Sequence, residues 1–218
     1  MHMRFSGPEE ILDRLIERYP VLEQSREAVW SAYEILSDSF EEGNKLLICG
    51  NGGSAADALH IAGELMKSFV LPRNPDPAFL EALYARFPGD APFLSEKLER
   101  ALPAVALVDN PSVFTAVQND TGSKLVFAQQ VYGLGVMNDV LLGISTSGNS
   151  ENVVLAAETA QALGMHVITL TGRGPNRLTS VSDCQIAVDG DDTFLVQELH
   201  LPVYHALCLM LEHRFFAG

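Results

Sequence analysis

The chain has 218 residues, 47% of them apolar, and a formal charge of −14. That length and apolar content suit one domain with a full core and exclude a disordered chain. The acidic balance disfavours general binding to nucleic acid or to an anionic membrane surface, and it also opposes an anionic ligand at long range. Two helical patterns come first. Pro8 to Tyr19 places Ile11, Leu12 and Leu15 on one face, and Glu23 to Glu42 repeats apolar residues from Ala28 to Phe40 at helical spacing. Both precede the first strand signal, so residues 1–43 pack on the sheet or on another subunit.

Strand-like runs follow near Lys45–Cys49, Ala104–Val108, Asp139–Ile144, His166–Leu170 and Cys184–Val188. Helical patterns fall near Ser54–Phe69, Ser123–Leu134, Ser150–Leu163 and Thr193–Phe216. Apolar strands alternating with helices predict an α/β fold, a parallel sheet covered on both faces. Ligands of such sheets bind at the carboxyl ends of the strands. The segment Val70–Pro103 breaks the rhythm. It holds Pro72, Pro75, Pro77, Pro88, Pro92 and Pro103 around two short helical patterns, Ala78–Phe87 and Pro92–Leu102. It reads as an insertion, with a lid, a subunit contact and a plain surface excursion all open. The apolar runs look too short to span a membrane, and the N-terminus shows no signal-peptide pattern, so a cytoplasmic protein is expected. Cys49, Cys184 and Cys208 sit in apolar runs and read as reduced core thiols.

Two loops carry the chemistry. Ser145-Thr146-Ser147-Gly148-Asn149-Ser150 lies between an apolar strand and a helical pattern. Hydroxyls and backbone N–H groups at such a turn suit a phosphate, and the helix dipole favours an anion there. Gly50-Asn51-Gly52-Gly53-Ser54 repeats the arrangement after the first strand, with glycines that let a ligand approach the backbone. The spacing matches neither the dinucleotide fingerprint nor the P-loop, so no nucleotide cofactor is expected. Downstream, His60 and Glu64 are four apart and share a helix face with Asp57 and Lys67. That face suits a metal ion, and equally a solvated His–Glu pair. His166 and His200 read as structural, and Asp109 and Asn110 as turn chemistry before Pro111.

The segments CGNGGSAADALHIAGEL, QND, LLGISTSGNSENVV, GMHVITLTG and VQELHLPVYH resemble the sugar isomerase (SIS) domain family, and within it the phosphoheptose isomerases. With the N-terminal helices they span most of the chain, although Val70–Pro103 is longer than in the best-known members. The resemblance implies a single three-layer domain over residues 1–218, with five parallel strands flanked by helices. It implies a homotetramer with active sites at subunit interfaces. The reaction would convert sedoheptulose 7-phosphate to D-glycero-D-manno-heptose 7-phosphate by acid/base chemistry through an enediol. Sugar-phosphate contacts would fall to Asn51, Gly52, Gly53, Ser54, Asn119, Asp120, Ser145, Thr146, Ser147, Ser150 and Gln197. Glu64 and His205 would be the acid/base pair. In zinc-containing members the metal, one per site, would correspond to His60, Glu64, Gln197 and His205.

Gln197 and His205 are eight residues apart, roughly 12 Å along a regular helix. Either Gln197 precedes the regular helix, with Pro202 marking a kink or a new first turn, or the two come from different subunits. Leu195 stands where familiar members often carry Arg, which loosens the link to the heptose itself. A different class remains open, a non-catalytic phosphosugar-binding or regulatory relative of the kind that binds the replication initiator. His205 opposes it, because that relative lacks His at the matching place.

Overall fold

The computed structural model describes residues 5–217. Helices α1 (Pro8–Arg18) and α2 (Arg26–Glu41) lead into β1 (Leu46–Gly50) and α3 (Gly53–Met66). Then come α4 (Pro77–Arg86), α5 (Ala91–Lys97), β2 (Ala104–Ala106), α6 (Pro111–Asp120) and α7 (Ala128–Leu134). The chain ends with β3 (Val140–Ser145), α8 (Glu151–Ala162), β4 (His166–Gly172), β5 (Cys184–Val188) and α9 (Thr193–Phe216). The five strands are parallel, in the order β2-β1-β3-β4-β5. All five strand runs expected from the sequence are present.

Side-chain alternation along the strands builds a core on each face. Leu46 and Ile48 of β1 join Leu142, Ile144, Ile168 and Ile186 beneath α1, α2, α3 and α9. Leu47 and Cys49 face the other way, with Leu141, Val167, Phe127 and Val153, beneath α7 and α8. The strand order reverses direction at β1, and the crevice between β1 and β3 is the topological switch point where ligands of such sheets bind.

Several local expectations change. The helix expected over Ser123–Leu134 is broken into a 3-10 turn, Ser123–Leu125, and α7. Val126 and Phe127, fully buried at the break, take the chain inward. Pro111–Asp120 forms a helix not expected from the sequence pattern; Asn110 accepts a hydrogen bond from the Val113 N–H at 3.2 Å and Pro111 occupies the first turn. None of its residues is fully buried, so its apolar signal was weak. Helix α9 is continuous through Pro202, so Gln197 lies inside the regular helix and not before it. By length and composition α9 is apolar enough to cross a membrane, contrary to the expectation; here it is a core helix, half buried, with His200 and Glu212 inside the fold.

The insertion is pinned to the end of α3. Buried Arg73 donates to the backbone carbonyls of Leu65 (2.6 Å) and Glu64 (2.9 Å) and to Glu212 Oε1 (3.0 Å). Glu212 in turn accepts from the N–H groups of Phe69, Val70 and Leu71. Beyond that clasp, α4 and α5 bury only Leu83 and Ala91. The three cysteines are free and buried, and burial pushes the Cys49 thiol up to about 12.

Candidate active site

Parallel pairing of β1 with β3 puts Gly50 beside Ile144, so the two loops leave the sheet as neighbours. They are tied by a reciprocal amide pair, Asn51 with Asn152, at 2.9 Å in both directions. Nothing in the sequence singled out Asn152; only the strand register shows that it faces Asn51. In the second loop Ser145 Oγ and Ser150 Oγ lie 3.0 Å apart, and Ser147 Oγ accepts from the Asn149 N–H at 3.2 Å. Gly148 has φ +64°, which a side chain would strain, and its carbonyl accepts from the Leu178 N–H at 3.1 Å. Ser145 is buried and Ser147 exposed, so the hydroxyls run from the sheet edge outward. Helices α3 and α8 both begin at this edge, adding their N-terminal N–H groups.

Gln197 reaches this edge from α9. A Cβ on Gly53 would lie 1.9 Å from the Gln197 amide nitrogen, so only glycine lets α9 bring that amide onto the loop. From there α3 and α9 run side by side in the same direction. Gly53 meets Gln197, His60 meets Tyr204, and the Phe69 N–H just beyond α3 meets Glu212. The phosphate-type donors therefore stand at one end of a two-helix groove, and the titratable side chains stand further along it.

Those side chains form one cluster. His60 Nε2 lies 3.1 Å from Glu64 Oε1, and His60 Nδ1 lies 3.0 Å from the Tyr204 hydroxyl. The Tyr204 hydroxyl also reaches Asp57 Oδ1 at 3.4 Å. The His205 ring stands edge-on to His60, with centroids 5.0 Å apart, and packs against Phe69 at 5.6 Å. Glu64 is largely covered, and Asp57 is buried. The stripe is thus solvated at His60 and Lys67 and covered at Asp57 and Glu64. Burial pushes the Asp57 carboxyl up, tempered by Tyr204 and the nearby Gln197 amide, although its Oδ2 has no partner of good geometry. Burial, and secondarily His60, holds the His205 imidazole below its ordinary value, with Glu64 acting the other way. His205 Nε2 is buried without a hydrogen-bond partner.

Asn119 and Asp120 lie exposed in the last turn of α6 and pair with each other at 2.8 Å. His166 begins β4 and is exposed, while His200 is fully buried. The sequence reading missed Tyr204 and gave Asp57 only a place on the polar stripe. The signal available was indirect, a tyrosine beside His205 and a carboxylate one turn before His60.

The residues meet the chemistry of a zinc site only in part. The orphaned His205 nitrogen and the His60–Glu64 pair are suitable donors. Among the described residues, however, no group of three or more His, Cys, Asp or Glu side chains stands arranged around one point. Gln197 sits two turns away from His205 on a continuous helix, about 12 Å along the axis. The four candidate ligands of one chain do not close around one ion.

The SIS domain family matches residues 12–83 and 78–172. A phosphoheptose isomerase from Akkermansia muciniphila is 39% identical over 184 residues, 84% of each chain. One from Helicobacter pylori is 40% identical over 194 residues, 89% of this chain and 88% of the relative. The chain belongs to the phosphoheptose isomerase family of SIS domain proteins. The solved phosphoheptose isomerase of Neisseria gonorrhoeae superposes with a TM-score of 0.70 at 33% identity, covering 94% of this chain and 97% of the other. The expected three-layer SIS fold is therefore present in full, from the N-terminal helices to β5 and α9.

Proposed function

We infer that this phosphoheptose isomerase family member is a phosphosugar aldose–ketose isomerase acting on sedoheptulose 7-phosphate and yielding D-glycero-D-manno-heptose 7-phosphate. One observation carries the reading: the phosphate-type loops and the His60–Glu64–His205 cluster share a single groove between α3 and α9. From Gly53 to His60 is about 10 Å along α3, comparable to an extended seven-carbon sugar. The names of the relatives support the same substrate.

In this reading the phosphate sits among Asn51, Gly52, Gly53, Ser54, Ser145, Thr146, Ser147 and Ser150, with Gln197 beside it. Asn119 and Asp120 reach the sugar from the end of α6. Glu64 removes a proton from C1 of the ketose, and the electron pair forms the C1–C2 double bond. His205 delivers a proton to the C2 oxygen, giving the enediol. Glu64 then returns its proton to C2 while the C1 hydroxyl gives up its own to His205, leaving the aldehyde. These steps are written for the side chains of one chain, whose candidate zinc ligands do not close around an ion.

The apolar side chains Leu59, Met66 and Leu201 are exposed on α3 and α9 beside the groove. They support a homotetramer with its sites at subunit interfaces, and a sugar-phosphate substrate suits a cytoplasmic protein. The regulatory alternative keeps the loops but has no use for the cluster. The deciding experiment incubates the protein with sedoheptulose 7-phosphate, with and without zinc and chelator, and follows the aldose by NMR. Turnover is expected, and Glu64→Gln is expected to lower kcat by about 10²–10⁴-fold. Tight phosphosugar binding without turnover in every arm establishes the regulatory reading instead.

A further inference from the structure

We propose that Arg73 is a positioning residue for the acid/base pair, holding the Glu64 end of α3 and, through Glu212 and Phe69, the His205 ring on α9. Helix α3 stops at Met66, and Lys67 is extended. In a continuing helix the carbonyls of Glu64 and Leu65 would accept from the N–H groups of Ser68 and Phe69. Those N–H groups go elsewhere, to Glu99 Oε2 at 2.9 Å and to Glu212 Oε1 at 2.7 Å. The two carbonyls are therefore left without their helical partners. Arg73 serves both. Its Nη2 donates to the Glu64 carbonyl at 2.9 Å, its Nη1 to the Leu65 carbonyl at 2.6 Å, and its Nε to Glu212 Oε1 at 3.0 Å. The Leu65 carbonyl has a second donor in the Leu102 N–H at 3.0 Å, so the guanidinium matters most at Glu64. The peptide that carries the proposed base is thus held by a side chain nine residues further along the chain.

The same clasp reaches His205. Glu212 stands two turns after His205 on α9, and its carboxylate accepts from the N–H groups of Phe69, Val70 and Leu71. That ties residue 69 to α9, and the Phe69 ring packs against the His205 ring with centroids 5.6 Å apart. Arg73 and Glu212 therefore join α3 to α9 just beyond the two side chains that exchange protons with the sugar. Both are buried. A buried ion pair is weak evidence for stability, because apolar side chains of similar volume often serve as well. Apolar side chains cannot, however, donate to two carbonyls or accept from three N–H groups. Lysine would keep the charge, but its ammonium is a point donor without the planar fork that meets acceptors on two elements at once. Arg73 and Glu212 touch no substrate in this scheme, so they act through Glu64 and His205.

The consequence for turnover rests on the isomerase reading with Glu64 and His205 as proton carriers, whereas the hold on α3 follows from the hydrogen bonds. The test on the full-length protein therefore has two arms. Arg73→Lys keeps the ion pair with Glu212 and gives up the fork. In amide hydrogen exchange followed by NMR, its Glu64, Leu65 and Met66 N–H groups are expected to exchange about tenfold faster than in the wild type, with the urea midpoint little changed. With sedoheptulose 7-phosphate, well below the unfolding transition, kcat is expected to fall about 10–100-fold and KM to change less than about threefold. Phe69→Leu keeps the backbone contact to Glu212 and removes the ring beside His205. It is expected to lose kcat in the same way, and it serves if Arg73→Lys does not fold. A folded Arg73→Lys with wild-type kcat overturns the proposal, since any buried cation would then do. An activity loss that only tracks the unfolded fraction overturns it as well, and a Phe69→Leu protein with wild-type kcat overturns the link to His205. A wild type that never turns over sinks the isomerase reading, while the exchange arm still decides whether Arg73 holds the end of α3.

Discussion

His200 shows what one buried side chain does to the pH response. It is fully buried, and neither ring nitrogen has a hydrogen bond of good geometry. Burial lowers its pKa from 6.5 to about 4, tempered by the nearby Thr171 backbone. The folded state therefore refuses a proton that the unfolded chain accepts. The stability from keeping His200 neutral is fully present above the unfolded pKa of 6.5, and it is lost as pH falls through 6.5 toward 4. A shift of that size corresponds to about 3 kcal/mol. Urea unfolding at pH 7 and pH 4.5 is expected to show a smaller acid loss in His200→Leu than in the wild type. An equal loss in both assigns the acid sensitivity to other groups. At this scale the sequence was legible where residue type alone implies chemistry: two hydroxyl- and glycine-rich turns, and a His and Glu one turn apart. It was illegible for Tyr204, because a phenol in an apolar run looks like core until its hydroxyl is seen between two polar groups.

Among the elements, α9 and the insertion depart most from what periodicity suggests. Pro202 suggested a break, yet α9 continues through it, so Gln197 and His205 lie two turns apart along one groove. Proline removes a single N–H, and packing on α1, α2 and α3 outweighs that loss. The sequence leaves the insertion open between lid, subunit contact and surface excursion, because its prolines mask its anchor. Arg73 and Glu212, at 0% and 1% side-chain exposure, join residues 139 positions apart, a pairing that no local pattern announces. Their pair also caps the end of α3, whose last turn carries Glu64. Removing one partner leaves a buried charge, so Glu212→Ala is expected to cost about 3–5 kcal/mol, read from chemical denaturation. A loss under about 1 kcal/mol would mean that water enters the clasp and satisfies Arg73.

For the molecule as a whole, the alternation of strands and helices was enough to give the sheet, its layers and the edge where the loops meet. The expectation of assembly comes only from the family resemblance. The exposed apolar residues on α3 and α9 flank the groove, so assembly and activity are expected to go together. Light scattering in solution is expected to give four times the 23.7 kDa chain mass, and a monomer with full activity would refute that link.

The groove also has a kinetic consequence. Its phosphate end attracts with uncharged hydroxyls, amides and helix N-termini, while the chain as a whole carries −14. A doubly charged sugar phosphate is therefore repelled on approach and held on contact. Added electrolyte shortens the reach of the repulsion, from about 30 Å at 0.01 M to about 8 Å at 0.15 M, and acts much less on contacts between neighbouring atoms. Capture should then speed up with ionic strength, the reverse of an electrostatically steered enzyme. Measured as kcat/KM against sodium chloride over that range, the slope is expected to be positive. A negative slope would mean that cationic side chains near the groove outweigh the chain's net charge on approach.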